Sequence, residues 1–374
     1  MIGLLTLNPV MYNYGGFLQE LALQDTLKEI GYDVEIINYK PSEEMNTFSV
    51  KRNIRYLTMD KVKQKMHRAR NTNEINDDVE KSIKLRHAVF DEYRNHELKL
   101  SSPITYNQLR SGKLIYDKYV CGSDQIWNPD YNIPSFFLDF VDDKKRKIIY
   151  AASFGKETLK KYEAKRYGEF LKELQYVSVR EETAQKLVSK ISGREPEWVL
   201  DPTLLHPYEY WKKKADTSKK KYTSYIFCYF LNLTKEKVEE SQRYAERNNC
   251  KIVMIPYLHD REDEVFGDIQ DANVAPNDFL KLIENSTAVL TDSFHATVFS
   301  LIFNKEFWVF GRNSGSYNMN TRIDNILKLY NVTERLIKPQ ELAIKKKADC
   351  LYDTESVEKA KEHSLAFLKQ ALQK

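Results

Sequence analysis

IGLLTLNPVMYNYGGFLQELALQDTLKEIGYDVEIIN, residues 2–38, is the stretch whose reading decides the fold. Residues 2–7 are a short apolar run, the length of a strand. Phe17, Leu18, Leu21, Leu27 and Ile30 then recur at helical spacing, and Gly31 stops the helix. Val34–Asn38 reads as a second strand. Strand, helix and strand in direct succession make a βαβ unit, whose strands are parallel. The apolar start lacks a positive segment before it, so it is expected to be a first strand rather than a signal peptide.

Working outward, residues 42–100 interrupt the alternation. They are polar, charged and poor in Gly and Pro, which predicts an inserted helical segment, clearest over 79–95. Alternation resumes after Pro103. Strands are predicted at Tyr119–Cys121, Ile148–Ala152, Tyr176–Val179 and Trp198–Leu200, with a charged helix over 157–174. KKKADTSKKK, residues 212–221, reads as a solvated linker. The second half repeats the scheme, with strands at Tyr225–Phe230, Lys251–Pro256, Ala288–Thr291 and Phe307–Phe310. Helices are predicted between them over 235–248, 276–285 and 294–303, with an amphipathic tail helix over 355–372. The class is therefore α/β with parallel sheets. The expected domains are 1–210, carrying the 42–100 segment, then 211–350. The tail 351–374 is of a kind that often crosses back to the first domain.

Bulk properties agree. A chain of 374 residues suits two domains of about 150 residues each. Its 42% hydrophobic content argues against long disorder. With 58 basic and 54 acidic residues, the net charge of +4 gives no argument for nucleic acid. Cysteines 121, 228, 250 and 350 form no CxxC pair, which argues against zinc. No apolar run reaches the roughly 18 residues of a membrane span, so a cytoplasmic protein is expected. Residues 51–70 carry eight Lys or Arg against Asp60 alone. They predict a solvated surface helix, with peripheral contact at an anionic membrane face as the alternative.

Several motifs fall at strand ends, where doubly wound sheets bind ligands. Asn13-Tyr14-Gly15-Gly16 lies between the first strand and helix, where paired glycines admit a ligand to the helix N-terminus. A tight turn is the alternative. GSDQIWNP, residues 122–129, offers Ser123, Asp124 and Gln125 to a sugar hydroxyl, with Trp127 to stack on a sugar face. Its alternative is a helix capped by Ser123 or Asp124 over a buried Trp127. Arg180, in SVRE at 178–181, is placed to grip a carboxylate or phosphate bidentately, or to pair with Glu181. TDSFHATVFS, residues 291–300, puts His295 in the first turn of a helix that Asp292 or Ser293 caps, where the positive end favours a bound anion. Arg322, in TRIDNIL at 321–327, begins a further helix and is either a cleft residue or a surface one.

In their order, NYGG, GSDQIWNP, YAASFG (150–155), SVRE, DPTLL (201–205), TDSFHATVFS and TRIDNIL resemble the polysaccharide pyruvyl transferase family over about 13–330. The resemblance implies a glycosyltransferase-B-like fold of two Rossmann-like domains facing a cleft. It implies transfer of pyruvyl from phosphoenolpyruvate to a sugar hydroxyl of a glycan or lipid-linked oligosaccharide, with no metal or nucleotide cofactor. His295 matches the family histidine associated with the donor and with acid chemistry. Arg180 falls in the matching strand-end segment. Asp124 would orient the acceptor or take its proton. Asn13, Tyr14, Gly15, Gly16, Ser123, Gln125 and Trp127 are the acceptor-side candidates. Arg180, Ser293, Arg322 and Arg312 are the donor-side ones. Some members carry Arg-Leu-His where this chain has Ser293-Phe294-His295, so Arg312 or Arg322 is expected to supply the missing charge. The rival expectations are a nucleotide-sugar glycosyltransferase on the same fold and a non-catalytic glycan-binding or assembly protein. Nothing in the sequence reads on oligomeric state.

Overall fold

The computed structural model describes residues 1–7, 12–39, 77–131, 133–256, 266–311, 313–314, 317–318, 321–344, 352 and 354–373. The basic stretch 51–70, Arg312 and the first part of the 42–100 segment lie outside the described residues.

The first sheet contains β1 (Ile2–Leu5), β2 (Val34–Ile36), β3 (Lys118–Asp124), β4 (Lys147–Ala152), β5 (Tyr176–Val179) and β6 (Glu197–Trp198), in the order β2-β1-β3-β4-β5-β6. The second contains β7 (Tyr225–Tyr229), β8 (Lys251–Met254), β9 (Ile269–Gln270), β10 (Ala288–Thr291) and β11 (Phe307–Phe310). A small hairpin, β12 (Asn313–Ser314) and β13 (Tyr317–Asn318), stands apart, and β14 (Leu336–Ile337) completes the sheet as β9-β8-β7-β10-β11-β14. Every pairing in both six-stranded sheets is parallel. Runs such as Phe307–Phe310 are buried along their whole length, as strands covered on both faces must be. The order reverses between β1 and β3 and again between β7 and β10. Crevices at such switch points are where open parallel sheets take ligands.

The helices are α1 (Tyr14–Glu29), α2 (Asp77–Glu97), α3 (Tyr106–Arg110), α4 (Lys161–Lys172), α5 (Glu182–Ser192), α6 (Tyr208–Ala215), α7 (Lys235–Arg247), α8 (Pro276–Asn285), α9 (Phe294–Ile302), α10 (Thr321–Leu329) and α11 (Glu355–Gln373). Among the described residues no helix is long and apolar enough to cross a membrane.

The halves are packed together near the switch points. Tyr14 stacks on Phe279 of α8 with ring centroids 4.7 Å apart, and its hydroxyl donates to the Val274 carbonyl. Arg86 of α2 donates to the Pro256 carbonyl at 2.7 Å. The last helix, α11, lies on the first half, where the Leu200 amide donates to Ser364 Oγ at 2.9 Å.

Two local expectations change. The segment 212–221 is not all linker, because α6 runs through Ala215. Trp211 and Ala215, one turn apart, are buried, and Trp211 Nε1 donates to the Thr203 carbonyl. Lys212 and Lys214 stay on the polar side and pair with Glu284 and Glu97. Nor do Ser123 and Asp124 cap a helix, because β3 continues through Asp124. The chain turns there on Gly122, at φ +131°, and Asp124, at φ +64°. A Cβ at Gly122 would stand 1.9 Å from the Tyr150 carbonyl oxygen, so only glycine fits.

Candidate functional site

The site is built where β3, β5 and β6 end and where α1 and α9 begin. Its centre is Arg180, carried just past β5 and buried. Its Nη1 stands 2.6 Å from Asp201 Oδ2, and its Nη2 stands 2.7 Å from Asp124 Oδ1. Asp201 follows β6 and caps the 3-10 turn Pro202–Leu205, accepting from the Thr203 amide and hydroxyl. Burial alone would raise the Asp201 carboxyl, but His295, Arg180 and the Thr203 hydroxyl outweigh it and hold that carboxyl far below the usual range. Asp124 is likewise held low. Burial opposes the shift there, and Arg180, His295 and Arg322 overcome it. Beside them, burial dominates at Glu181 and pushes its carboxyl up, despite Arg180 and a 2.7 Å hydrogen bond from Ser153.

His295 comes from the second half. Ser293 caps α9 by accepting from the Ala296 amide, which leaves His295 in the first turn. Its Nε2 lies 3.7 Å from Asp201 Oδ2, within ion-pair reach but beyond a hydrogen bond. That buried nitrogen has no hydrogen-bond partner among the described residues. The ring crosses directly over Gly15 at the start of α1. A Cβ on Gly15 would sit 1.9 Å from His295 Nδ1, so this glycine opens the space the imidazole occupies. Two helix N-termini, one from each half, therefore meet at this ring, and their dipoles favour negative charge between them.

Arg322 enters from α10. Its Nη1 is 3.7 Å from Asp124 Oδ1. With the Gln125 carboxamide turned oxygen-first, Gln125 accepts from Arg322 Nη2 at 2.8 Å. The guanidinium carbons of Arg180 and Arg322 lie 4.9 and 5.7 Å from the Phe294 ring centroid. One phenyl ring thus carries both cations.

The structure brings together Asp124, Gln125, Arg180, Ser293, His295 and Arg322. It corrects other expectations. Trp127 is fully buried, stacked 5.2 Å from Phe137, with Nε1 donating to the Phe136 carbonyl, so no sugar reaches its face. Tyr14 is buried between Phe90 and Phe279 and serves packing. Ser123 is buried too, its hydroxyl donating to the Ala151 carbonyl at 3.1 Å. Asn13 is the α1 cap, accepting from the Gly16 amide. Arg180 does not offer its fork to a ligand, because both terminal nitrogens already hold carboxylates. Its expected pairing with Glu181 is the weaker one, at 3.8 Å. Asp201 and Phe294 were missed as site residues. The one available signal was Asp201-Pro202, an acidic cap before a proline. Among the described residues no group of three His, Cys, Asp or Glu is arranged to hold a metal.

Comparison with known proteins bears on this geometry. Among solved structures, the chain is similar to S. aureus MnaA with UDP, with TM-score 0.51 and 11% identity over 98% of this chain and 96% of that one. It also matches a UDP-GlcNAc 2-epimerase from Neisseria meningitidis bound to UDP-GlcNAc, with TM-score 0.44 and 11% identity over 99% and 100% of the two chains. At such identities the likeness to MnaA shows the fold alone, a two-domain glycosyltransferase-B-like scaffold. A search of curated proteins returns no match. The family model described as polysaccharide pyruvyl transferase matches residues 13–314, a span that runs from the α1 cap past His295. Most of the chain, and with it the junction of α1 and α9, falls inside that match, and the chain belongs to the polysaccharide pyruvyl transferase family.

Proposed function

We propose that this transferase moves the pyruvyl skeleton of phosphoenolpyruvate onto sugar hydroxyls of a surface polysaccharide or its precursor, forming a pyruvate ketal and releasing phosphate. The observation that carries this reading is the meeting of two helix N-termini around His295, with Arg180 and Arg322 beside them. Phosphoenolpyruvate is an enol phosphate ester with two anionic groups, a carboxylate and a phosphate. It needs positive groups to hold both and an acid for its methylene carbon.

In this reading Arg322 and the first-turn amides of α9 hold the donor anion, in place of the arginine that some members carry at the Ser293 position. His295 gives its proton to the methylene carbon, leaving positive charge at the central carbon. A sugar hydroxyl adds there, and Asp124, kept ionised by the arginines, takes the hydroxyl proton. Phosphate departs with the electrons of its C–O bond, and a second hydroxyl closes the ketal. Asp124 hands its proton to the departing phosphate, and the proton of the second hydroxyl restores His295. Arg180 fixes the two carboxylates in place.

The test is incubation with phosphoenolpyruvate and a panel of methyl glycosides, read by phosphate release and by the ketal methyl signal in proton spectra. Both signals are expected with at least one glycoside. Release of nucleotide from a sugar nucleotide instead would favour the glycosyltransferase reading. Glycan binding without turnover of either donor would favour a non-catalytic role.

A further inference from the structure

Two glutamines of α1, Gln19 and Gln24, are fully buried. Polar side chains this deep are held by the bonds they make. Gln24 lies farther along the helix. Its Nε2 donates to the Glu97 carbonyl at 3.2 Å and its Oε1 accepts from the Lys99 amide at 3.0 Å, which fastens the end of α2 to α1. Gln19, in the second turn, makes the same kind of two-sided bond at the transfer centre. Its Nε2 donates to the Gly16 carbonyl at 2.8 Å, and its Oε1 accepts from the Ser123 amide at 3.0 Å. Both partners are backbone groups, one acceptor and one donor, so they fix which way the carboxamide faces. Glu lacks the N–H, Leu and Met lack both groups, and Asn is one methylene short.

The two ends of this carboxamide reach the two sides of the chemistry. Gly16 follows Gly15, over which the His295 ring crosses. Ser123 precedes Asp124, whose φ of +64° lies in the left-handed region that side chains rarely adopt. Such a backbone persists only where its surroundings hold it. The Asp124 carbonyl accepts from the Ser153 amide at 3.0 Å, and the Ser123 hydroxyl donates to the Ala151 carbonyl at 3.1 Å. Those two bonds tie the turn to β4 and the residue after it. The Gln19 bond ties it to α1.

We propose that Gln19 is a positioning residue for the transfer. Its carboxamide fastens the Asp124 turn to the start of α1, so that the carboxylate assigned to take the acceptor proton stays in register with His295. The role rests on the pyruvyl-transfer reading for the step it serves. Gln19 is closed off from substrate and acts through Ser123 and Gly16.

The test is a double-mutant cycle read by phosphate release from phosphoenolpyruvate with an accepted glycoside, per folded molecule. Gln19→Leu is expected to lower kcat about 10- to 100-fold and to leave the KM for phosphoenolpyruvate within about threefold, because the donor contacts lie elsewhere. In an Asp124→Asn background the same substitution is expected to cost less than about threefold, since the carboxylate it positions is gone. Gln24→Leu is expected to keep most of the turnover in both backgrounds. Should Gln19→Leu not fold, Gln19→Met carries the same cycle. An equal factor of loss in both backgrounds, or an equal loss in Gln24→Leu, would overturn the role. Hydrogen exchange at the Ser123 amide reads the anchor without turnover. It is expected to quicken about tenfold or more in Gln19→Leu relative to Gln24→Leu, and equal protection would overturn the anchor. Lost protection in a chain that releases no phosphate from phosphoenolpyruvate with any glycoside would sustain the anchor and sink the pyruvyl reading. Turnover that a folded Gln19→Leu leaves unchanged would sustain that reading and sink the role of Gln19.

Discussion

In the second half, Lys237 Nζ lies 2.8 Å from Asp292 Oδ2, and Asp292 also accepts from the Leu231 and Asn232 amides at 2.7 and 3.0 Å. In the first half, Arg180 holds Asp201 and Asp124 at 2.6 and 2.7 Å. Both cations are buried at the carboxyl ends of parallel strands, yet the two regions differ in what is left over. Lys237 gives a further bond to the Asn232 carbonyl at 2.6 Å, and that pair closes on itself. Around Arg180, by contrast, Arg180 Nε and His295 Nε2 have no hydrogen-bond partner among the described residues. Buried charge alone therefore does not mark a reactive centre. The mark is buried charge with donors to spare at a junction between halves.

The widest separation of the two regions should come from removing each cation. Arg180→Met leaves two buried carboxylates uncompensated and is expected to cost about 3–5 kcal/mol in urea unfolding and to abolish phosphate release. Lys237→Met should cost about as much stability, but turnover per folded molecule should fall less than in Arg180→Met, because Lys237 contacts Asp292 and the Asn232 carbonyl rather than the groups assigned to the transfer. Loss of activity in both would erase the distinction.

A smaller effect is expected at two adjacent glycines. Gly15→Ala drives a methyl into His295 and should cost about 1–3 kcal/mol together with most of the turnover. Gly16→Ala meets nothing closer than 3.8 Å and sits in a helix, so it should stabilise by up to about 1 kcal/mol with activity kept. Equal losses at both would mean that the His295 position is not what matters.

Acid should reveal the same centre. The folded-state values of Asp201 and Asp124 lie below the ordinary range. Their stabilisation is therefore full above the unfolded carboxylate value of about 3.9 and is lost as pH falls below it. Glu181 has the opposite sign. Its raised value means that its ionisation costs stability as pH rises through that value. Urea midpoints against pH should fall steeply in acid, Asp201→Asn should flatten that fall, and Glu181→Gln should raise the midpoint near neutrality. The smallest effect is at the α9 cap, where Ser293→Ala should cost about 1 kcal/mol by thermal unfolding.

Much of the scaffold was legible in the sequence because buried parallel strands are continuous apolar runs. Tyr176–Val179, Ala288–Thr291 and Phe307–Phe310 fall where the runs predict, as does the helix Pro276–Asn285. The site was less legible. Its contacts join Asp124, Arg180, Asp201 and His295 across long stretches of chain, and no local periodicity records such pairings. Trp127 read as a stacking surface because a tryptophan after a strand looks the same whether it faces a cleft or, as here, Phe137. The helix cap read at Ser123 failed because the turn depends on Gly122 and a left-handed Asp124, which spacing does not encode.

The central claim is that His295, at the meeting of α1 and α9, is the acid of the transfer. The direct test is phosphate release from phosphoenolpyruvate with an accepted glycoside, comparing His295→Asn with the unsubstituted chain at matched folded concentration. A fall of about 10²–10⁴ in kcat per folded molecule is the predicted result. Near-normal kcat in a folded His295→Asn protein would contradict it.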